Sequence, residues 1–174
     1  MDYNDGTILA LAYWGSNAVG LVFLLVAFKW TRLARLMFAV LFGYAFWINY
    51  HLSHSNPAVY LDYAQSAVGL YANFIRGWFS HNITAVVTFI AIGQLFIALG
   101  MLLRHTFVSL ASIGAIIFLM AIAPLGVYAA FPFSITVSLA AYCILKEGDK
   151  QFLWEKRQTA QGLYGPFERP LTTK

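Results

Sequence analysis

ITAVVTFIAIGQLFIALGMLL, residues 83–103, is an unbroken run that contains no charged side chain. A helix needs about 20 predominantly apolar residues to cross the hydrocarbon core of a bilayer. The run has that length, and its one amide side chain, Gln94, lies near its centre. The stretch therefore predicts a membrane-spanning helix with a single strongly polar group at mid-depth.

The composition also indicates a lipid environment. Hydrophobic residues make up 60% of the 174 residues and charged residues only 10%, whereas a soluble domain carries about 25% charged residues. So few charges cannot cover a surface that faces water. The single cysteine, Cys143, excludes an intramolecular disulfide and any paired-cysteine zinc or redox motif.

Five spans account for the apolar runs of the chain. Two runs precede residues 83–103, and the run that follows them is about twice the length that one helix needs. Its middle contains Pro and Gly, which mark turns, so we place a break near Pro124–Tyr128. The predicted fold class is an all-α integral membrane bundle of five transmembrane helices, forming one domain over residues 1–146. The predicted spans are about 7–28, 36–53, 83–103, 107–124 and 128–145.

Positive charge predicts the orientation. Of the eleven Lys and Arg residues, only Arg76 falls on the second side of the predicted spans. Cytoplasmic loops retain Lys and Arg, so we expect the N-terminus outside and the tail, residues 147–174, in the cytoplasm. This topology suits a bacterial inner membrane, and an odd number of spans is needed to place the two ends on opposite sides.

The predicted external segment, residues 54–81, has helical periodicity. Apolar residues recur at steps of three and four, which is typical of an amphipathic helix. Three roles remain open for this helix: lying on the bilayer surface or capping the bundle, covering a ligand pocket as a lid, or docking to a partner subunit. The apolar stripe consists of Tyr60, Tyr63, Ala67, Leu70, Tyr71 and Phe74.

Three histidines fall at the predicted external face. His51 and His54 end the second span and His81 precedes the third, so their imidazoles could meet and hold zinc or copper. Facing histidines could also ligate a haem. Interfacial histidines commonly bond water, lipid headgroups or backbone instead, and the sequence favours that interpretation over a metal or a haem.

Uncharged polar residues in and near the spans suggest a second kind of site. Gln94 needs a partner, because an unpaired amide in hydrocarbon is costly. One interpretation is an interhelical hydrogen bond. The other is a hydrogen bond to a quinone or a lipid carbonyl, and the candidate ligand-binding residues are then Gln94, Asn49, Tyr44 and Trp78.

The tail supplies the candidate residues for binding a partner. Its Gly- and Pro-containing sequence predicts an extended segment, which is ordered only where something holds it. We therefore expect contact with other membrane subunits through Tyr164, Pro166, Phe167 and Arg169. The basic residues lie at helix ends and form no basic face, so no nucleic-acid partner is expected.

Four short stretches carry a resemblance to a known family. They are RLARLMFAVLFG at 32–43, YLDY at 60–63, NFIRGWF at 73–79 and AIGQLFIALGMLL at 91–103. Through these stretches, residues 33–145 resemble the DoxX-like (DoxD/DoxX) family of integral membrane proteins.

The resemblance implies four transmembrane helices with an external amphipathic segment between the first two. It makes the first span of this chain an addition. It also implies an association with quinone-linked sulfur oxidation or respiratory machinery in some members. The family commonly has an acidic residue where Gln94 stands, and the resemblance carries no catalytic residue onto this chain.

The sequence thus leads to an accessory role. It contains no nucleotide-binding, nucleophile-elbow or metalloprotease motif and no pair of deep carboxylates, so we expect no catalytic activity of its own. The favoured hypothesis is a non-catalytic subunit of a larger membrane complex, such as a respiratory one. The alternatives are a quinone-linked oxidoreductase component and a protein that binds lipid or a small apolar ligand.

Overall fold

The structure, a computed structural model, describes residues 3–129 and 131–147, with the backbone alone for residues 3–9. This part of the chain is all-helical, with six α-helices and three 3₁₀ helices and no strand. The α-helices are α1 (Tyr3–Lys29), α2 (Thr31–Ser55), α3 (Gly69–Arg76), α4 (Ile83–Leu102), α5 (Thr106–Ile122) and α6 (Phe133–Lys146). The 3₁₀ helices are Pro57–Gln65, Trp78–His81 and Ala123–Ala129.

Among the residues that the structure describes, four helical stretches are long and apolar enough to cross a membrane. They are Ala10–Lys29, Thr31–Ser55, Ile83–Leu102 and Thr106–Ala129. Helix α6 has 14 residues; at a rise of 1.5 Å per residue it is about 21 Å long, against a hydrocarbon core of about 30 Å. The all-helical prediction is confirmed with four membrane-length helices, and the fifth span stays a prediction.

The five long helices form a closed ring. Helix α2 packs on α4, α4 on α5, α5 on α6, α6 on α1, and α1 returns to α2. The space between them is filled by apolar side chains that are completely or almost completely buried. The largest of these are Phe38, Phe42, Met101, Val108, Val137 and Ile144.

The turn between α4 and α5 is tight because the two helices approach closely. A Cβ added at Gly100 would lie 2.8 Å from the Cβ of Ala111 and 3.1 Å from the carbonyl oxygen of Phe107. Any residue larger than Gly would push the helices apart. The connection ends at His105, whose φ of 46° lies in the left-handed region.

The connection between α1 and α2 is shorter than predicted. Only Trp30 is non-helical, and α2 begins at Thr31. We predicted that the second span starts at residue 36, after a basic loop. Instead Arg32 and Arg35 belong to the first turns of α2, so this loop is too short to hold them.

Residues 56–82, which we name the cap segment, join α2 to α4. The prediction of one continuous amphipathic helix here is wrong, because the segment is divided into a 3₁₀ helix, the short helix α3 and a second 3₁₀ helix. The first break falls at Val68, whose ψ is 149° and whose N–H donates to the carbonyl of Pro124 at 3.0 Å. A tertiary hydrogen bond therefore interrupts the helical periodicity.

The buried face of the cap segment also differs from the predicted stripe. Tyr60 is buried as expected, but Leu70 is 79% exposed. The side chains that pack inward from α3 are Ala72 and Ile75, which join a small apolar cluster at the start of α4 that includes Ile83.

The predicted break between the last two helices is present. The 3₁₀ helix Ala123–Ala129 separates α5 from α6. It is followed by a cis Phe131–Pro132 peptide bond, and α6 begins at Phe133. The last helix therefore starts later than the predicted residue 128, which is why it is short.

Candidate functional site

A polar path runs across the bundle from α4 through α2 to the cap segment. Asn49 on α2 donates from Nδ2 to Oε1 of Gln94 on α4 at 2.9 Å. The hydroxyl of Tyr60 in the cap segment donates to Oδ1 of the same asparagine at 2.8 Å. The interhelical bond that the sequence suggested for Gln94 is present, and it is one link of a longer chain of bonds.

The groups at the two ends of this path, Gln94 and Tyr60, are both buried. Gln94 is only 2% exposed and Tyr60 only 7%, so neither polar group can turn to water. Burial, with a smaller contribution from neighbouring Tyr63, raises the pKa of Tyr60 from 10.0 to about 12. Tyr60 therefore keeps its proton at physiological pH and acts as the donor to Asn49.

A further hydrogen bond ties α2 and α4 together near the cap segment. The hydroxyl of Thr84 donates to the carbonyl oxygen of Ser53 at 2.9 Å. One turn along α4, the hydroxyl of Thr88 is buried and has no hydrogen-bond partner within residues 3–129 and 131–147. These groups add to the polar path along α2 and α4, and three further polar residues, Ser112, Ser134 and Ser138, are buried on α5 and α6.

A cavity of about 300 Å³ lies where the polar path meets the cap segment, and we name it the tyrosine cavity. Asn49 forms part of its wall, so the path opens into it. Three tyrosines and one carboxylate give it an aromatic and acidic character. Its lining consists of Ile48, Asn49, Leu52, Val59, Tyr60, Asp62, Tyr63 and Tyr128.

The turn before α6, which is clamped to the cap segment, provides one part of the cavity wall. Ser66 donates from its hydroxyl to the carbonyl of Leu125 at 2.6 Å and accepts from the N–H of Tyr128 at 3.4 Å. Gly126, with a φ of 78°, sits so close to the Ser66 carbonyl that a Cβ there would overlap it. The clamp carries Tyr128 into the cavity wall.

Asp62 is the only formally charged side chain in the lining. Its carboxylate is exposed and accepts one hydrogen bond, from Nε2 of Gln65 to Oδ1 at 3.1 Å. In the described part of the chain no Lys or Arg pairs with it. The carboxylate therefore leaves the mouth of the cavity with a negative charge.

Two of the predicted ligand-binding residues lie elsewhere. Tyr44 is 62% exposed and stacks on Trp47, with ring centroids 6.2 Å apart. Trp78 is 59% exposed and stacks on Phe74 at 5.8 Å. Of the predicted set, only Asn49 and Gln94 are brought together.

Each of the three predicted metal-binding histidines has a contact within its own stretch of chain. His51 stacks on Trp47 at 6.0 Å. The Nδ1–H of His54 donates to the carbonyl of Tyr50 at 2.7 Å, and Nδ1 of His81 faces the carbonyl of Gly77 at 3.2 Å. No group of three or more His, Cys, Asp or Glu suited to a metal occurs over residues 3–129 and 131–147.

The predicted partner-binding residues of the tail lie outside the described residues. These are Tyr164, Pro166, Phe167 and Arg169. The structure therefore places none of them.

A second cavity lies at the opposite end of the bundle, between α1 and α6. It measures about 450 Å³ and is lined mainly by apolar side chains, with Lys146 and Glu147 beside it. Lys146 lies over the ring of Tyr142, 5.4 Å from its centroid. It shares neither the aromatic cluster nor the polar path of the tyrosine cavity.

The sequence analysis missed one buried charged residue. Arg35 is 0% exposed and donates from Nε to the carbonyl of Met101 at 3.0 Å and from Nη2 to that of Leu103. Cations favour the C-terminal end of a helix, where carbonyls lack intrahelical partners, so Arg35 caps α4. The sequence evidence that could have predicted this role is the spacing of three residues between Arg32 and Arg35, which fits a helix.

Other residues missed by the sequence analysis are those that complete the cavity. Asp62 was not among the predicted site residues, and Tyr128 was assigned only to the break between spans. Both lie in the wall of the cavity with Tyr63. The separation of 66 residues between Asp62 and Tyr128 leaves no local pattern by which sequence could pair them.

The fold and this site define an all-helical protein with four helices of membrane length and a cavity at one end of the bundle. Comparison with known proteins adds no relative, because no family model, no curated protein and no solved structure matches the chain.

Proposed function

We propose that this chain is an integral membrane protein that binds a small amphipathic molecule, with the polar end of that molecule in the tyrosine cavity. The observation that carries the proposal is the combination of a cavity with a polar path ending in its wall. Ligand sites are concave, largely apolar and supplied with a few fixed polar groups, and they measure about 300 Å³ or more.

The outer surface supports insertion in a bilayer. Large apolar side chains on the helices point away from the bundle, including Phe89 at 78% exposed and Leu25 at 62%. Contiguous apolar surface of this kind is unfavourable in water and favourable in lipid. Insertion with five spans, the N-terminus outside and a bacterial inner membrane location form part of the proposal.

The cap segment supports the role of a lid. It packs on α2 and α4 and is clamped to the turn before α6 through Ser66. It therefore covers the end of the bundle at which the cavity opens. A ligand that enters from the bilayer would have its apolar part beside α2 and its polar end under this lid.

Filling the cavity tests the proposal. Val59→Trp places a large ring in the lining, and Ile92→Trp places the same ring on an exposed face of α4. Both variants and the parent protein are purified in mild detergent, and the small molecules extracted from each are quantified by mass spectrometry. We expect a species that is present with the parent protein and Ile92→Trp and depleted at least about fivefold with Val59→Trp.

Equal amounts of every extracted species in Val59→Trp and Ile92→Trp would contradict the proposal, provided that both variants elute as folded protein. Helical content by circular dichroism establishes the folding of each.

A quinone is a second candidate ligand, and the Asn49 amide in the cavity wall favours it. An amide N–H can donate to a quinone carbonyl. The DoxX-like resemblance supports the same ligand class and a quinone-linked oxidoreductase component. Quinone in the parent extract, and its loss in Asn49→Leu, would support this candidate; a parent extract free of quinone would remove it.

The role of an accessory subunit remains part of the proposal at the level of the whole chain. Its test is purification in mild detergent followed by mass spectrometry of the bound polypeptides. A second protein lost when Tyr164 and Phe167 are both replaced by Ala would support it. A parent protein that runs as a lone monomer would contradict it.

A further inference from the structure

We infer that the tyrosine cavity selects an organic cation, a quaternary or substituted ammonium group. The inference rests on the proposed function and gives the ligand its chemical class. It follows from three features of the cavity, which are its aromatic rings, its carboxylate and the direction of the hydrogen bond that the Tyr60 hydroxyl makes.

The aromatic rings form the first feature. Tyr60, Tyr63 and Tyr128 all line a cavity of about 300 Å³, and the rings of Tyr60 and Tyr63 lie 6.1 Å apart and nearly parallel. The face of an aromatic ring carries partial negative charge and attracts a cation within about 6 Å of its centroid. Several tyrosines around one small space suit a methylated ammonium group.

The carboxylate forms the second feature. Asp62 lies in the same lining, and its partner is the neutral amide of Gln65. The only other formal charge in the cap segment is Arg76, which donates from Nη2 to the carbonyl of Ala64 at 3.2 Å. The turn that contributes Tyr128 has no charged residue. A positive ligand therefore meets a negative charge that no Lys or Arg of the described residues pairs with.

The hydrogen-bond direction forms the third feature. The hydroxyl of Tyr60 donates its proton to Asn49, and the phenol stays neutral because burial raises the pKa of Tyr60. The Tyr60 oxygen can then only accept. One of the two N–H groups of the Asn49 amide is bonded to Gln94, which leaves the other for a neutral head, whereas the Asp62 carboxylate and the Tyr60 oxygen are both acceptors that suit a cationic head.

Choline and dimethylbutanol, its uncharged isostere with carbon in place of nitrogen, test the inference. The full-length protein is placed in nanodiscs of phosphatidylglycerol, which lacks a quaternary ammonium group, and binding is measured by isothermal titration calorimetry. We expect choline to bind at least about tenfold more tightly than dimethylbutanol. Equal affinity for the two, or no heat from choline, overturns the inference.

The source of the cation is separated in a second arm. Dihexanoylphosphatidylcholine carries the same ammonium group on a lipid, and dihexanoylphosphatidylglycerol is its match without it. Tighter binding of the choline lipid than of free choline indicates a lipid headgroup as the natural ligand. Weaker binding indicates a free amine. Both outcomes support cation recognition, and binding of the glycerol lipid as tightly as the choline lipid overturns it.

Variants assign the binding to the cavity. Tyr128→Phe keeps the ring and should retain choline binding, whereas Tyr128→Leu should weaken it about fivefold. Asp62→Asn removes the charge with little change in shape and should weaken it about threefold to tenfold. Glu147→Gln removes a carboxylate at the other end of the bundle and should change nothing. A loss in Glu147→Gln equal to that in Asp62→Asn overturns the assignment.

The two proposals fail in different ways. If the cavity binds a neutral amphipathic molecule, choline shows no preference, yet Val59→Trp still depletes a species from the extract. If the cavity binds nothing, Val59→Trp leaves the extract unchanged as well.

Discussion

Helix α2 carries a hydrogen-bonded polar side chain near each end, and the two have different partners. Near the start, Arg35 donates to the backbone carbonyls that end α4. Near the end, Asn49 bonds only side chains, Gln94 and Tyr60, beside a cavity. The first arrangement satisfies main-chain groups inside the fold, and the second leads from the bundle interior to an opening.

The comparison separates groups that maintain the fold from groups that are available to a ligand. A guanidinium that joins two helix ends stabilises the bundle and has its donors directed into it. An amide in a cavity wall, supported by a second amide and a phenol, is held in one orientation at an accessible place. This comparison can be tested by variants that alter one end of α2 or the contacts that support that end.

The largest effect is expected at Arg35. Replacement by Met removes charge-assisted hydrogen bonds to two carbonyls, and we expect a loss of about 3 kcal/mol in the free energy of unfolding. Lys29→Met, an exposed cation at the same end, should cost close to nothing. Unfolding with sodium dodecyl sulfate in mixed micelles measures both. Similar losses in the two variants would show that Arg35 does not cap α4.

The clamp at Gly126 comes next. Gly126→Ala forces a Cβ into a left-handed residue that already touches the Ser66 carbonyl, and we expect about 2 kcal/mol of destabilisation. Gly43→Ala is the matched control, since nothing lies within 4 Å of its Cβ position. Because Ala favours a helix over Gly by about 0.5–1 kcal/mol, this control should be stabilised. The same unfolding assay decides, and equal effects would mean that the clamp can shift freely.

The amide pair should be coupled but weakly. In a double-mutant cycle of Asn49→Leu and Gln94→Leu, we expect an interaction energy of about 0.6–1.7 kcal/mol, as for other interhelical hydrogen bonds in membranes. Additive effects would indicate that the 2.9 Å bond contributes nothing. Asn49→Leu should also weaken ligand binding, whereas Arg35→Met should not do so in the folded fraction.

The smallest effect concerns pH. The pKa of Tyr60 is raised from 10.0 to about 12, mainly by burial and then by Tyr63, so folding favours the protonated phenol. Its stabilising contribution is fully present below pH 10 and is lost as pH rises towards 12. The Tm should therefore fall more steeply over this window in the parent protein than in Tyr60→Phe. Parallel curves would contradict the buried state of this hydroxyl.

Much of the helical framework could be predicted from sequence because it depends on local composition. Charge-free runs of membrane length, such as the one over Ile83–Leu102, have one stable arrangement in lipid, since a helix satisfies every backbone group within itself. The ends of helices were harder to predict. A one-residue connection at Trp30 and a late start at Phe133 depend on how neighbouring helices pack.

The cap segment shows where local pattern fails. Its periodicity predicted a single helix, but the hydrogen bond from Val68 to Pro124 breaks that helix. These residues are 56 positions apart, and no helical repeat records such a contact. The histidines of the metal-site hypothesis belong to no group of three metal ligands within residues 3–129 and 131–147, and each contacts a residue one helical turn before it.

The candidate site divides in the same way. The need of Gln94 for a partner could be predicted from one amide in an apolar run, whereas Asn49 was predicted to bind a ligand beside it and not to be that partner. Tyr44 and Trp78 were assigned to the same site by depth alone, which says nothing about which side of a helix faces inward. Tyr128 reaches the cavity through the clamp at Ser66, and Asp62 lines it from the 3₁₀ helix Pro57–Gln65.

Sequence alone determined that the described part of this chain forms long apolar helices. An unsatisfied backbone group is costly in an apolar environment, and a helix satisfies each group with a residue only four positions away. Only the tertiary structure decided that Arg35 is buried, that the cap segment is divided and that three tyrosines surround one space. Those outcomes arise from contacts between residues far apart in the chain. The energy of such a contact depends on both residues and on their positions in the fold, so it cannot be predicted from the local sequence around either one.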